Sequence, residues 1–261
     1  MAELSLLTYN MLYNNACNEI EVLINRYHPD LVCLQEVDTN ESNLHLLEKQ
    51  GYRLADYSNS FIKFGQIFGV ATFYNPDHLK FTRSTTLELP RSIYEIILLV
   101  IRLLRGGNKP RTVLKTDFRL NDDKKITVYN THLAVFETNG ARVKQLKKIL
   151  KFIDTNKKLS VIITGDFNYH PYQRKQLESI MKKHNLSEAT NNLTYTIQLS
   201  TDGKKEKYNL FQKIFIKILY KLYTGRLKLD YIFYKNLVVK ETKRVNARFS
   251  DHFPILSTFE V

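Results

Sequence analysis

The chain has 261 residues, with 39 Lys or Arg against 26 Asp or Glu, so its formal net charge is +13. A hydrophobic content of 43% with 9 Gly and 6 Pro is typical of a globular protein and excludes a fibrous or disordered chain. The excess positive charge favours an anionic partner, whether nucleic acid, a phospholipid surface or a phosphorylated small molecule. A Lys-rich proteome without any polyanionic partner is the alternative explanation.

The sequence shows no pattern for export or for membrane insertion. The N-terminal residues MAELSLLTYNML lack a basic region before an apolar run, so we predict no signal peptide and a cytoplasmic protein. The longest apolar stretch, residues 93–104, is shorter than the roughly 18 residues that span a bilayer. Cys17 and Cys33 cannot form a disulfide framework and are expected to be reduced thiols in the core.

The first elements alternate between strands and helices. The run LSLLTYNML predicts a strand, and apolar residues recur at helical spacing over residues 16–27. The break at His28-Pro29-Asp30 is followed by a short apolar run, residues 31–34, that predicts a buried strand. This strand ends at Gln35 and Glu36.

The rest of the chain continues this mixed pattern. Further strands are predicted at residues 68–74, 112–118, 125–133, 159–164, 229–234 and 253–259, and helices at 140–156 and 173–184. Alternating strands and helices together with hairpins predict an α/β fold, a mixed sandwich rather than a pure parallel sheet. We found neither repeats nor linkers, so we predict one domain over residues 1–261.

Acidic, amide and imidazole side chains recur where the predicted strands end. These residues are Asn10, Glu36, His132, Asp166, Asn168, Asp230, Asp251 and His252. Any one of them could simply cap a helix or close a turn. Together they combine hard oxygen ligands for Mg²⁺, amides that can orient water or phosphate, and imidazoles that can move protons.

Six motifs carry these residues in a fixed order. They are TYN at 8–10, LQEV at 34–37, THL at 131–133, GDFN at 165–168, LDYIFY at 229–234 and SDHFPI at 250–255. Their order and spacing resemble the endonuclease/exonuclease/phosphatase superfamily, also called the deoxyribonuclease-I-like fold, including its nuclease and neutral-sphingomyelinase-like branches. The resemblance implies a four-layer α/β sandwich, with two packed mixed β-sheets, helices outside and the site at one edge of the sheets.

The resemblance also implies a metal site. Glu36 would be the principal metal ligand, and Asn10 and Asp251 would complete the metal and phosphate environment. Mg²⁺ suits such a set because it prefers carboxylate and water oxygens, and Mn²⁺ is the expected substitute. Zn²⁺ would be expected to recruit more His or Cys.

The same resemblance implies the catalytic roles. Asp166 would orient or deprotonate the attacking water, assisted by Asn168. His252 would contact the scissile phosphate while a carboxylate such as Asp230 holds its ring, and His132 would contact the phosphate or act as general acid. The phosphate-binding group would thus comprise Asn10, His132, Asn168 and His252.

Several other residues are open to two interpretations. Arg142 and Gln145 resemble a recurring R-x-x-Q pair that packs near the site, but a surface salt bridge on a basic helix would explain them equally. His170 before Pro171 either lines the substrate groove or is structural. Surface positions are expected for His28, His45, His78 and His184.

Two segments, near residues 91–107 and 204–228, exceed what a minimal fold of this kind needs. In the second, Lys213, Lys217 and Lys221 form a basic stripe among apolar residues. That pattern is typical of an interfacial amphipathic helix. Two helices packed on each other or on the sandwich would produce the same pattern.

The expected activity is Mg²⁺-dependent phosphodiester hydrolysis by a monomer. Three hypotheses for the function follow. The first is a sequence-nonspecific nuclease or DNA-end-processing phosphodiesterase whose basic helix tracks phosphates. The second is a sphingomyelinase-like phospholipid phosphodiesterase that docks both insertions on the inner membrane surface. The third, a non-catalytic binding protein, ranks last because no key position is substituted.

Overall fold

The computed structural model describes residues 2–63, 65–91, 111–135, 137–153, 159–198 and 225–261. The predictions for most of the two insertions, including the stripe of Lys213, Lys217 and Lys221, therefore lie outside the described residues. The end of the helix predicted at 140–156 also lies outside them.

Within the described residues, strands predominate over helices. The strands are β1 (Glu3–Asn10), β2 (Leu31–Asp38), β3 (Arg53–Lys63), β4 (Gln66–Tyr74), β5 (Leu79–Glu88), β6 (Thr112–Leu120), β7 (Lys125–His132), β8 (Ser160–Asp166), β9 (Ser187–Glu188), β10 (Ile197–Gln198), β11 (Arg226–Leu227), β12 (Asp230–Lys235), β13 (Val238–Arg244) and β14 (Ile255–Glu260). The helices are α1 (Cys17–Tyr27), α2 (Glu41–Leu44), α3 (Asn139–Ile153) and α4 (Arg174–Lys183), with 3₁₀ turns at Glu48–Gln50 and Pro171–Gln173.

Twelve of these strands form two six-stranded mixed sheets. The first has the order β13-β14-β1-β2-β4-β3 and the second β5-β6-β7-β8-β12-β9, while β10 and β11 pair with each other. Each sheet contains one parallel pair, β1 with β2 and β7 with β8, between antiparallel neighbours. The predicted sandwich of two mixed sheets flanked by helices is confirmed.

Three apolar layers hold the sandwich together. Leu6 of β1 and Ile162 of β8 are buried between the sheets, whereas their neighbours Leu7 and Ile163 point to the opposite faces. Leu7 belongs to the cluster formed with α1, and Ile163 to the cluster formed with α3 and α4. Burying each such side chain stabilises the folded state by roughly 1.5 to 3 kcal/mol relative to leaving it exposed to water. Both faces of each sheet therefore stabilise the fold.

Three long strands that the sequence did not predict, β3, β5 and β13, all lie at sheet edges. Most side chains of β5 and β13 are exposed or half-buried, so these strands lack the apolar runs that identify central strands. Neither cysteine is part of a disulfide; Cys33 is buried in the core as predicted, whereas Cys17 is only half-buried. None of the described helices is long and apolar enough to cross a bilayer.

Candidate active site

The two parallel strand pairs bring four polar side chains to one edge of the sandwich. Asn10 ends β1, Glu36 lies near the end of β2, and His132 and Asp166 end β7 and β8. His132 and Asp230 both lie opposite Asp166 in the sheet register. The Asn10 amide donates a hydrogen bond across the sheets to Asp166 Oδ2 at 3.0 Å. All five side chains are buried.

An unusual backbone conformation fixes the Glu36 carboxylate. Glu36 has a positive φ of 54° at an irregularity in the β2–β4 register. The preceding turn places Leu12, Tyr13 and Asn14 at φ values of 48°, 54° and 64°. The Tyr13 N–H donates to Glu36 Oε2 at 3.1 Å, and the Asn14 N–H donates to the Glu36 carbonyl at 3.0 Å. Such backbone strain, of order 1 kcal/mol per residue, is concentrated at functional sites.

The hydrogen-bond partner of His132 determines which ring nitrogen carries the proton. The Arg111 guanidinium donates to His132 Nδ1 at 3.3 Å, so Nδ1 accepts and the neutral ring is protonated at Nε2. Burial and the charge of Arg111 lower the pKa of His132 well below its ordinary value. His132 Nε2 lies 3.5 Å from Asp166 Oδ2 and 3.8 Å from Glu36 Oε1, without a hydrogen bond to any described residue. Its N–H can therefore serve an incoming oxygen.

The His252 ring is held by Asp230. His252 Nδ1 lies 2.9 Å and 3.0 Å from the two Asp230 oxygens, and the Thr196 hydroxyl donates to Asp230 Oδ2 at 2.6 Å. Burial lowers the pKa of His252, but the charges of Asp230 and Asp166 overcome this effect and raise it well above its ordinary value. The raised pKa favours the protonated form of His252, whose Nε2 lies 3.7 Å from Asp166 Oδ2.

Asp166 lies at the centre of the site. Its Oδ1 accepts a hydrogen bond from the Asn168 backbone N–H at 2.9 Å. Burial raises the pKa of Asp166 to about 7, although the positive charge of His252 acts in the opposite direction. Asn168 has a positive φ of 49°, and its side-chain amide donates to the Leu133 carbonyl at 3.2 Å. A carboxylate with a pKa near neutrality is well suited to accept a proton from water.

Gly165 permits the close approach of β7 and β8 at the site. Its φ is +128°, and a Cβ at this position would lie 2.0 Å from the Thr131 carbonyl oxygen. Only glycine fits this position, which directly precedes Asp166 and lies beside the residue before His132.

The acidic residues offer two possible metal sites. Ligand atoms of Asp166, Asp230 and His252 lie within 4.8 Å of one another. However, His252 Nδ1 and the Asp230 carboxylate are hydrogen-bonded to each other, and this hydrogen bond would have to break for both groups to bind an ion. The buried Glu36 carboxylate has its pKa raised by burial and by the nearby charge of Asp251. A cation would relieve that repulsion, so Glu36 and Asp251 fit a hard divalent ion better. The Asn10 oxygen accepts from the Leu12 N–H at 3.0 Å and has a second lone pair for a ligand.

Arg142 and Gln145 lie beneath the site, not in a surface salt bridge. Arg142 is 0% exposed and donates to the carbonyls of Ala134 and Val135 at 2.9 Å and 2.6 Å. Gln145 accepts from the Ala134 N–H at 3.2 Å. The pair thus supports the loop that follows His132.

The remaining histidines differ in burial and in their contacts. His170 is half-buried, with its ring stacked on Tyr172 at 5.9 Å and its backbone N–H donating to Asn139 at 2.9 Å. His28, His45 and His78 are exposed as expected, whereas His184 is half-buried.

A pair of buried amides, which the sequence did not predict as part of the site, joins the two sheets behind it. Gln35 donates to Asn130 Oδ1 at 2.8 Å, and Asn130 donates to the carbonyls of Leu34 and Ala71 at 3.1 Å and 2.9 Å. Gln35 precedes Glu36, and Asn130 lies two residues before His132. This buried network therefore holds the two halves of the site in register. In the sequence, the only indication of this network is that Gln35 and Asn130 are polar residues within apolar strands.

Four further residues that the sequence analysis did not single out lie beside the site, namely Tyr13, Phe61, Lys63 and Arg111. The Phe61 ring lies 5.8 Å from the His132 ring in an edge-to-face contact. These residues belong to no motif of the resemblance, because they come from a turn, an edge strand and the residue before β6.

Comparison with known proteins agrees with this architecture. The curated relatives include the UPF0294 protein VP2298 of Vibrio parahaemolyticus, 24% identical over 259 residues that cover 98% of this chain and 78% of the relative. A UPF0294 protein of Vibrio campbellii is 28% identical over 155 residues, 58% of this chain and 45% of the relative.

Solved structures share the fold over essentially the whole chain. The catalytic domain of human Nocturnin with bound sulfate has a TM-score of 0.70 and 19% identity, covering 99% of this chain and 93% of that one. TDP2 of D. rerio, complexed with a single-strand DNA product, has a TM-score of 0.69 and 17% identity, covering 100% of both chains. The model of the Endonuclease/Exonuclease/phosphatase family matches residues 7–252. This chain therefore belongs to the Endonuclease/Exonuclease/phosphatase family.

Proposed function

We propose that this protein is a metal-dependent phosphodiester hydrolase that acts on nucleic acid, as a sequence-nonspecific nuclease or DNA-end-processing phosphodiesterase. Members of its family are generally hydrolases of phosphoester bonds. The observation that carries the proposal is that the imidazoles of His132 and His252 both lie within 4 Å of one Asp166 oxygen. That arrangement places a base between two N–H donors, which can activate water and stabilise the charge that develops on a phosphodiester.

The metal would be held at the Glu36 side of this space. Glu36 is the principal ligand in the proposal, and Asn10 and Asp251 complete the environment of an Mg²⁺ ion, for which Mn²⁺ can substitute. The bound ion would supply Lewis-acid stabilisation of the charge that builds on the phosphate oxygens. One or two carboxylates are enough, because Mg²⁺ keeps several of its waters.

The side chains of the site perform the other steps of the proposed reaction. Asp166 orients and deprotonates the attacking water, and the hydrogen bonds from Asn10 and Asn168 hold its carboxylate in place. The Nε2–H groups of His132 and His252 donate to phosphate oxygens, and the Asp230 carboxylate keeps His252 protonated and correctly oriented. The side chains of Asn10 and Asn168 lie at the same edge and assist in binding the phosphate.

Nucleic acid is the proposed substrate because the chain has a net positive charge and because one structural relative binds DNA. TDP2 of D. rerio forms a complex with a single-strand DNA product. In this chain, helix α3 exposes a row of cations that can contact backbone phosphates; these are Lys144, Lys147, Lys148 and Lys151. We propose that residues 1–261 act as one catalytic domain, as a monomer in the cytoplasm, where thiols such as Cys33 stay reduced.

The test compares substrate classes side by side. Purified protein is incubated with Mg²⁺ and either a panel of single-stranded, double-stranded and end-blocked DNAs or mixed phospholipid liposomes. We expect nicking or trimming of DNA that an identically purified Asp166→Ala variant has lost. Head-group release from liposomes without DNA cleavage would contradict the nuclease proposal and favour the phospholipid reading, which at present rests on insertions outside the described residues.

A further inference from the structure

Two cations are stacked on two aromatic rings beside the site. The Lys63 ammonium lies 3.6 Å from the centroid of the Tyr13 ring, and the Arg111 guanidinium carbon lies 4.7 Å from the centroid of the Phe61 ring. The two rings meet edge to face, with centroids 6.2 Å apart. These four residues, all half-buried, form one surface that we call the cationic wall.

The cationic wall is in direct contact with the proposed catalytic residues. Arg111 donates to His132 Nδ1, and the Tyr13 backbone N–H donates to the Glu36 carboxylate. The positive charges of both Lys63 and Arg111 also act on Glu36 and lower its pKa, against the larger effect of burial. The wall therefore adjoins the position that the proposed function gives to the scissile phosphate.

We propose that Lys63 and Arg111 bind a second, non-scissile phosphate of the substrate, the one adjacent to the scissile linkage in a nucleic-acid strand. This inference rests on the proposed function and narrows the substrate class to a strand with consecutive phosphodiesters, in which a second phosphate lies next to the scissile one. Arg and Lys are the side chains that bind backbone phosphates, and stacking on aromatic rings holds their charges in place.

The same geometry argues against a zwitterionic lipid head group. A choline or ethanolamine group is usually held on the faces of aromatic rings. Here the rings of Tyr13 and Phe61 already have Lys63 and Arg111 over them. A substrate ammonium at the wall would therefore meet fixed positive charge, which repels it, whereas a phosphate would be attracted.

The test removes one charge from the substrate. Two single-stranded oligonucleotides are compared by product length, so that cleavage is followed at one chosen phosphodiester. The linkage next to it is a phosphodiester in the first strand and an uncharged methylphosphonate in the second. The parent protein is expected to cleave the fully charged strand at least about tenfold faster, as measured by kcat/KM. In the double variant Lys63→Gln, Arg111→Gln this ratio is expected to fall close to one.

The control is Lys80→Gln, at the opposite end of β5 from the site, which should keep the parental ratio. Equal cleavage of both strands by the parent, or an unchanged ratio in the double variant, would overturn the second phosphate site while leaving the nuclease proposal standing. If the parent cleaves neither strand but releases lipid head groups, both proposals fail.

A binding measurement keeps the inference testable if the double variant loses cleavage altogether. In an Asp166→Ala background, the affinity for the fully charged strand is measured at several salt concentrations. Adding Lys63→Gln should reduce the slope of log K against log salt by about 0.7, the value for one lost contact to a single strand. An unchanged slope would exclude Lys63 from phosphate binding.

Discussion

Glu36→Gln is expected to lower metal-dependent kcat/KM by about 10³-fold or more while leaving the fold intact. Glutamine keeps the size of the side chain and can still accept the hydrogen bond from the Tyr13 N–H. It lacks the charge that binds the ion, and Mg²⁺ is typically held by only one or two protein carboxylates. Steady-state kinetics and calorimetric titration with Mn²⁺ measure the two effects.

The matched control is Glu260→Gln, at the far end of the same sheet, where Glu260 pairs with Glu3. Its activity and metal affinity should equal those of the parent. Unchanged metal affinity in Glu36→Gln would remove Glu36 from the metal site, even if activity fell for another reason.

Asp166→Asn is expected to lower kcat by about 10² to 10⁴-fold, the usual contribution of a general base. Asparagine can still accept a hydrogen bond from the Asn168 N–H or the Asn10 amide, but it cannot accept a proton from water. Burial disfavours the charged form of Asp166, so the neutral amide should leave the melting temperature equal or higher. Kinetics and thermal unfolding followed by circular dichroism check the two results.

The control for this prediction is Asp122→Asn, in the hairpin turn at the other end of the second sheet. It removes an exposed carboxylate that contacts Lys124, far from the site, so kcat should stay at the parental value. A kcat of Asp166→Asn within tenfold of the parent would show that another group activates the water.

The central strands could be predicted from the sequence because their burial on both faces requires runs of apolar residues. Strands β1, β2, β7 and β8 have this pattern, and each carries a motif residue at or near its C-terminal end. The edge strand β3 could not be predicted, because its stability comes from pairing with β4 and not from an apolar pattern of its own. Sequence patterns detect burial, whereas edge strands are determined by their neighbours.

The candidate site was predictable as a set of residues but not as a set of contacts. The motif order places Asn10 and Asp166 at strand ends, yet their hydrogen bond joins residues that are 156 positions apart. The protonation of His132 depends on Arg111, which belongs to no motif and contacts the ring only through the pairing of β6 with β7. Such contacts follow from the packing of the sheets and leave no local signal.

The most direct test of the central claim, hydrolysis of a phosphodiester at a metal site built on Glu36, is metal removal. Cleavage of a single-stranded oligonucleotide by the purified protein is measured in EDTA and then after addition of Mg²⁺ or Mn²⁺. We predict no turnover in EDTA and full recovery with either ion, but no recovery in Glu36→Gln at the same concentrations. Turnover that persists in EDTA would contradict the claim. So would turnover at the parental rate in Glu36→Gln after Mg²⁺ or Mn²⁺ is added.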